Sequence, residues 1–180
     1  MNDKQLSALF MAQVMPRMQA QSDLAGVTLA RKFQPRQQGA ATGPVVYFYK
    51  LPDHNHGSPQ RREIFDTGAG AFQQTQRQLV QSTYQFSAWV PQDPASTSAL
   101  TESDVLSVVS AIMQSDGLIA AFVAAGVGVQ RVTDIRNPYF VDERDRFEAE
   151  PSFDIALTHY RTLVSALPAA DAYEANISRV

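Results

Sequence analysis

Apolar residues recur near helical spacing at the start of the chain, at Leu6, Leu9, Phe10, Val14 and Met18, and predict an amphipathic helix from Asp3 to about Ala20. Asn2 or Asp3 can cap it, Pro16 predicts a kink or restart, and Ser22, Asp23 and Gly26 mark its end. A short strand is expected over Val27 to Phe33. The segment QPRQQGAATGP then suits neither a helix nor a central strand, so it reads as an extended loop or arm. Val45 to Leu51 is short, β-branched and aromatic, which predicts a strand buried on at least one face. PDHNHGSP reads as a turn, Arg61 to Asp66 as a returning hairpin strand, and Gly68 and Gly70 as a break before a polar, β-like run from Gln73.

The clearest strand lies in STYQFSAWVP, where Tyr84, Phe86, Ala88 and Val90 alternate with Thr83, Gln85, Ser87 and Trp89. Thr101 and Asp104 make a capping-box pattern before the apolar run Val105 to Met113, and Ser115 and Asp116 cap a second helix over Leu118 to Ala125, with Gly126 at its C-terminal cap. This second helix is apolar nearly all round, a pattern of helices that are buried or docked against a partner. Val127 to Ile135 alternates again, with Val127, Val129 and Val132 or Ile135 inward if a bulge shifts the register. RNPYFVDERDRFEAEP reads as a turn, and in SFDIALTHYRTL the residues Phe153, Ile155, Leu157 and His159 share one face of a third strand. From Ser165 to Val180 a tail is expected, either carrying a short helix over Ala169 to Ile177 or mobile.

Length and composition narrow what such elements do. The 180 residues suit a single domain: helix and arm in 1–43, core in 44–163 and tail in 164–180. Only 18% of residues are charged and the net charge is −3, so general attraction to nucleic-acid phosphates is missing. There is no cysteine, which removes disulfides and thiolate sites and agrees with assembly in a reducing cytoplasm. The N-terminal segment is too polar for a signal peptide, and no stretch approaches the ~18 apolar residues of a membrane span. Solubility without membrane contact is expected. Glutamine takes the place of charge at Gln37, Gln38, Gln74, Gln76 and Gln78, where amides can bond a neighbouring subunit at lower desolvation cost.

The candidate chemistry is thin. Asp53, His54 and His56 form the one dense His-containing cluster, a weak metal-dependent hydrolase candidate that lacks zinc-signature spacing. Gly68 and Gly70 lack the Lys-Ser or Lys-Thr of a phosphate loop, and no serine sits in a nucleophile elbow. The run around Arg144 and Arg146 alternates in sign and suits a solvated or intersubunit ion-pair surface better than paired catalytic carboxylates. Arg31, Arg36, Arg61 and Arg62 could form a local basic edge, the basis of an alternative reading as a small nucleic-acid or small-molecule binding module. Neither catalysis nor a cofactor is expected. Contacts to subunits or partners are expected at those basic residues and glutamines and at Leu6 and Phe10 of the first helix.

The order of elements from Gly43 onward resembles the neck and tail terminator proteins of tailed bacteriophages. The resemblance runs through GPVVYF at 43–48, YQFSAW at 84–89, the helix pair Val105 to Met113 and Leu118 to Val123, GVGV at 126–129, and RDRF at 144–147 leading into SFDIALTH. It implies an α+β subunit, a mainly antiparallel sheet with two helices packed on one face, extended by the N-terminal helix and arms. It implies a homo-oligomeric ring, commonly a hexamer, at the virion's head-to-tail junction. There the ring would contact portal, adaptor and tail proteins and leave a channel through which DNA passes without sequence-specific binding.

Overall fold

The computed structural model describes residues 1–32, 43–91, 99–141 and 147–168, with backbone only for 139–141, 147–149 and 168. The first element is α1 (Asp3–Gln19), which runs through Pro16 as one helix and is closed by a capping box between Asn2 and Gln5. It is followed by β1 (Thr28–Arg31), β2 (Val45–Asp66), β3 (Ala71–Trp89), α2 (Glu102–Met113), α3 (Asp116–Ala124), β4 (Val127–Val132), β5 (Tyr139–Val141), β6 (Phe147–Ala149) and β7 (Ser152–Pro168). The fold is α+β: three helices on a five-stranded sheet of order β1-β2-β3-β7-β4, antiparallel except for the β1–β2 pair.

The sheet's period-two pattern decides where the core lies. Phe48, Tyr84, Phe86, Phe153, Ile155 and Leu157 all point to one face. The helices lay their apolar sides there through Leu6, Phe10, Val14 and Met18 of α1, Val105, Leu106, Val109 and Met113 of α2, and Leu118 and Phe122 of α3. Phe10 is the hub, its ring 5.0–5.7 Å from those of Tyr84, Phe48, Phe86 and Phe122. The α2 capping box forms as the sequence predicts, Thr101 accepting from the Asp104 amide while Asp104 accepts from the Thr101 amide. Gly126 follows α3 with φ +77°, a conformation that glycine adopts without cost. In β4 a bulge falls between Val129 and Arg131, so Val129 and Val132 both lean on the core.

Two sequence expectations are overturned. PDHNHGSP is no turn, and Arg61 to Asp66 does not return. Both belong to one 22-residue strand, β2, and the return is β3 after a tight turn at 67–70. The irregularities that suggested a turn are absorbed as register shifts between Lys50 and Asp53 and between His56 and Gln60, with Pro52 and Pro59 inside them. Among the described residues this stretch of β2 beyond β1 is an edge, where a proline's missing N–H interrupts no ladder. The second correction concerns RNPYFVDERDRFEAEP, which contains a small hairpin of β5 and β6. β7 continues in strand through Pro168, and the helix expected at Ala169 to Ile177 lies outside the described residues. Among the described residues no single helix is long and apolar enough to cross a membrane.

Candidate assembly surface

β2, β3 and β7 are far longer than the five or six residues of an average strand, because they leave the helical layer together and continue as a ribbon. From Val80, its last buried residue, to Ala71, β3 takes nine residue steps past the core, about 30 Å at ~3.3 Å per residue. We call this ribbon the tongue. Its tip is the 67–70 turn, where the Asp66 carboxylate accepts from the amides of Gly68 and Ala69 and Gly70 takes φ +60°.

Strand register assigns the tongue's side chains to two faces. The face continuous with the core carries Phe65, Phe72 and Leu167 in one row, Glu63, Gln74 and Ser165 in the next, and Arg61, Gln76 and Leu163 in the third. The opposite face carries Ile64, Gln73 and Ala166, then Arg62, Thr75 and Val164, then Gln60, Arg77 and Thr162. Glutamine amides tie the rows together: Gln76 donates to Gln74 at 2.8 Å and Gln74 to Glu63 at 2.7 Å, while Gln78 donates to the Gly57 carbonyl. Arg77 stacks 3.7 Å over the Tyr160 ring. Among the described residues no helix covers this part of the sheet, and large apolar side chains stay in water: Leu163 is 62% and Val164 54% exposed, and Phe65 packs edge-to-face with Phe72.

A polar clamp holds the tongue's root. The Asp53 carboxylate accepts from Ser82 Oγ at 2.7 Å, Lys50 Nζ at 2.8 Å and Arg161 Nη2 at 2.7 Å, and Lys50 reaches on to Asp3 of α1. The Met1 amine donates to the Tyr160 carbonyl beside it. Burial alone would raise the Asp53 pKa, but its bonds to Lys50, Ser82 and Arg161 hold it below the ordinary carboxylate value. Lys50 is raised, its partial burial outweighed by Asp3 and Asp53. The clamp ends in the core at His159, whose Nε2 lies 3.0 Å from Ser82 Oγ. The single Ser82 proton goes to Asp53, so the assignment consistent with this network has His159 Nε2–H donating to Ser82 and leaves Nδ1 without a partner.

Burial, aided by the nearby N-terminal amine, lowers the His159 pKa and keeps the ring neutral. Folding therefore favours the unprotonated form. The stabilisation is present above the unfolded value near 6.5 and is lost as pH falls through the lower folded value. Thermal melts should show a declining midpoint from pH 7 towards pH 5, and His159→Gln should flatten that part of the profile. Parallel profiles for the two proteins would refute the assignment.

The sequence-derived candidates separate accordingly. Gln74, Gln76, Gln78, Arg61 and Arg62 all fall on the tongue, and Arg31 ends β1 away from it. Arg61 and Arg62 point to opposite faces, which does not make a single basic edge. Leu6 and Phe10 are fully engaged in the chain's own core. Arg36, Gln37, Gln38, Arg144 and Arg146 lie outside the described residues. Asp53 turns to the core face, whereas His54 and His56 sit ring-to-ring at 4.8 Å on the other face, so the three do not converge on a metal. Sequence reasoning missed Lys50, Ser82, Arg161 and the apolar end of β7. The run TLVSALP, apolar without alternation, was the available signal for the last of these.

Residues 5–169 match the family described as E217 gateway protein gp29. The chain belongs to this phage gateway-protein family. The neck and terminator resemblance read from element order is thereby borne out. Among solved structures, the gateway chain is similar in fold to the sheath/tube terminator, in its extended state, of PVC, an extracellular contractile injection system. The TM-score is 0.54 at 12% identity, over 100% of this chain and 64% of that one, so the gateway chain spans under two thirds of the terminator's length. No curated protein sequence matches it closely enough to count as a relative.

Proposed function

We propose that the protein is a non-enzymatic structural subunit of the virion neck. Made in the host cytoplasm, it would close with copies of itself into a ring, a hexamer in the simplest case, between the portal and adaptor proteins and the tail. The observation that carries this reading is the tongue: about 30 Å of ribbon with apolar side chains and open strand edges that a lone copy leaves in water. A ring covers such surfaces by repeating one heterologous contact until it closes. Membership in the gateway family supports the location at the head-to-tail junction. The low charge suits an axial channel through which DNA passes without being read.

Light scattering and negative-stain imaging of the purified protein, alone and with portal, adaptor and tail-tube proteins, test the proposal. Closed rings, or rings formed on a partner, are the expected result. A strictly monomeric protein that binds none of them would overturn it.

A further inference from the structure

Resting on the neck reading, in which DNA passes beside this protein, we propose that the tongue face turned away from the helices binds the phosphate backbone of that DNA, with Arg62 and Arg77 as the contacting cations. The two are diagonal neighbours on this face, because Gln60 pairs with Arg77 and Arg62 with Thr75, a relation that spaces residues about 7–8 Å apart. Together with Gln60, Arg61 and Thr75 they line a cleft. Arg61 springs from the other face and reaches the cleft at the edge of β2. Three guanidiniums, an amide and a hydroxyl supply hydrogen-bond donors without a carboxylate among them, and a guanidinium grips phosphate oxygens through paired N–H groups.

The cations of this face are not neutralised by the chain itself. Asp53 and Glu63 belong to the core-side face, Asp154 at the root pairs with Arg136, and Asp66 at the tip accepts from the amides of Gly68 and Ala69. Between Asp154 and Asp66 the register places no acid on this face. Among the described residues no carboxylate engages Arg62 or Arg77. Arg77 is held instead over the Tyr160 ring, which orders its side chain before a ligand arrives and lowers the entropy cost of binding.

The donors form a track rather than a pocket for one anion. It starts at the root with His54 and Gln81 and ends with Arg62 and Thr75, six residue steps of β3 or about 20 Å. Over that length one DNA strand presents about six phosphates at ~3.4 Å each. A DNA backbone offers acceptors and negative charge at every repeat, whereas a protein surface of that length brings cations and donors of its own, which would meet no carboxylate here. Two or three phosphate contacts per copy make a weak, salt-dependent attachment that lets DNA slide.

Fluorescence anisotropy of a labelled duplex of arbitrary sequence, titrated with the purified protein at several salt concentrations, tests the assignment. The wild type should bind with a log–log salt slope of about −2 or steeper. Arg62→Gln combined with Arg77→Gln should weaken binding at least about tenfold at low salt and flatten the slope by about 2. Both side chains are exposed, so the thermal midpoint should not move, and Arg62→Lys with Arg77→Lys, which keeps the charge, should recover most of the affinity. Arg131→Gln, which removes an exposed cation of β4 outside the tongue, should leave binding unchanged. Affinity unaffected by the double glutamine variant, or no binding at low salt, would overturn the proposal. Poly-glutamate bound as tightly as the duplex would also overturn it and assign the face to an acidic protein. These titrations read on monomers and rings alike, so the ring reading stands or falls separately by light scattering.

Discussion

Replacing Phe10 with alanine should destabilise the protein by about 3–5 kcal/mol, a large share of the ~5–15 kcal/mol typical of a domain. The ring is fully buried and meets four other aromatic rings at 5.0–5.7 Å, three of them edge-to-face or nearly so. Truncation therefore loses transfer energy, leaves a cavity bounded by two layers and removes edge contacts of about 0.5–1.5 kcal/mol each. Met11, the next residue on α1, is exposed, and Met11→Ala should stay within about 0.5 kcal/mol of wild type. Urea denaturation of the two variants measures the contrast. A Phe10→Ala midpoint close to that of Met11→Ala would show that α1 is not part of the cooperative core.

The second large effect is expected at the root of the tongue. Asp53→Ala removes the one acceptor shared by Ser82, Lys50 and Arg161, leaving the buried Ser82 hydroxyl proton and the Arg161 guanidinium without that carboxylate and Lys50 with Asp3 alone. Unsatisfied groups of this kind cost about 1–3 kcal/mol, and Asp53→Asn, which keeps an acceptor for Ser82 but loses the charge, should cost less. The readout that separates the clamp from general stability is hydrogen exchange. Amides of β3 between Ala71 and Gln81 should lose protection in Asp53→Ala while those of α2 keep theirs. Uniform loss across both regions would mean that the clamp contributes to global stability alone and does not hold the tongue.

The core was legible because burial writes itself into the period of a sequence. Tyr84 to Val90, Phe153 to His159 and the capped α2 and α3 could be read because one side of each meets the core and the other does not. The tongue was not legible for the complementary reason. Both of its faces meet water, so no alternation marks it, and an edge strand accepts Pro52, Gly57 and Pro59 that a central strand would reject. The β5–β6 hairpin was hidden in the same way inside a charged run. The clamp was hidden by distance: Asp53 and Ser82 are 29 residues apart and Ser82 and His159 77 apart, and only the register of three strands joins them. The apolar-all-round composition of α3 was visible, and the fold seats Leu118 and Phe122 in the core while Val123 stays exposed.

The bulge between Lys50 and Asp53 has one extra residue, which is why two positions three apart face the same side and share a clamp. Beyond the second register shift, between His56 and Gln60, the ribbon is built from one repeating pair of rows as far as the tip turn. The length of the tongue is thereby uncoupled from the fold, like a ruler fixed at one end. Adding two residues to each of β2 and β3 near the tip would extend the reach by about 6–7 Å and return every row to its original side. Adding one to each would turn the new tip over. The tongue's reach can therefore change in two-residue steps without altering any contact of the core.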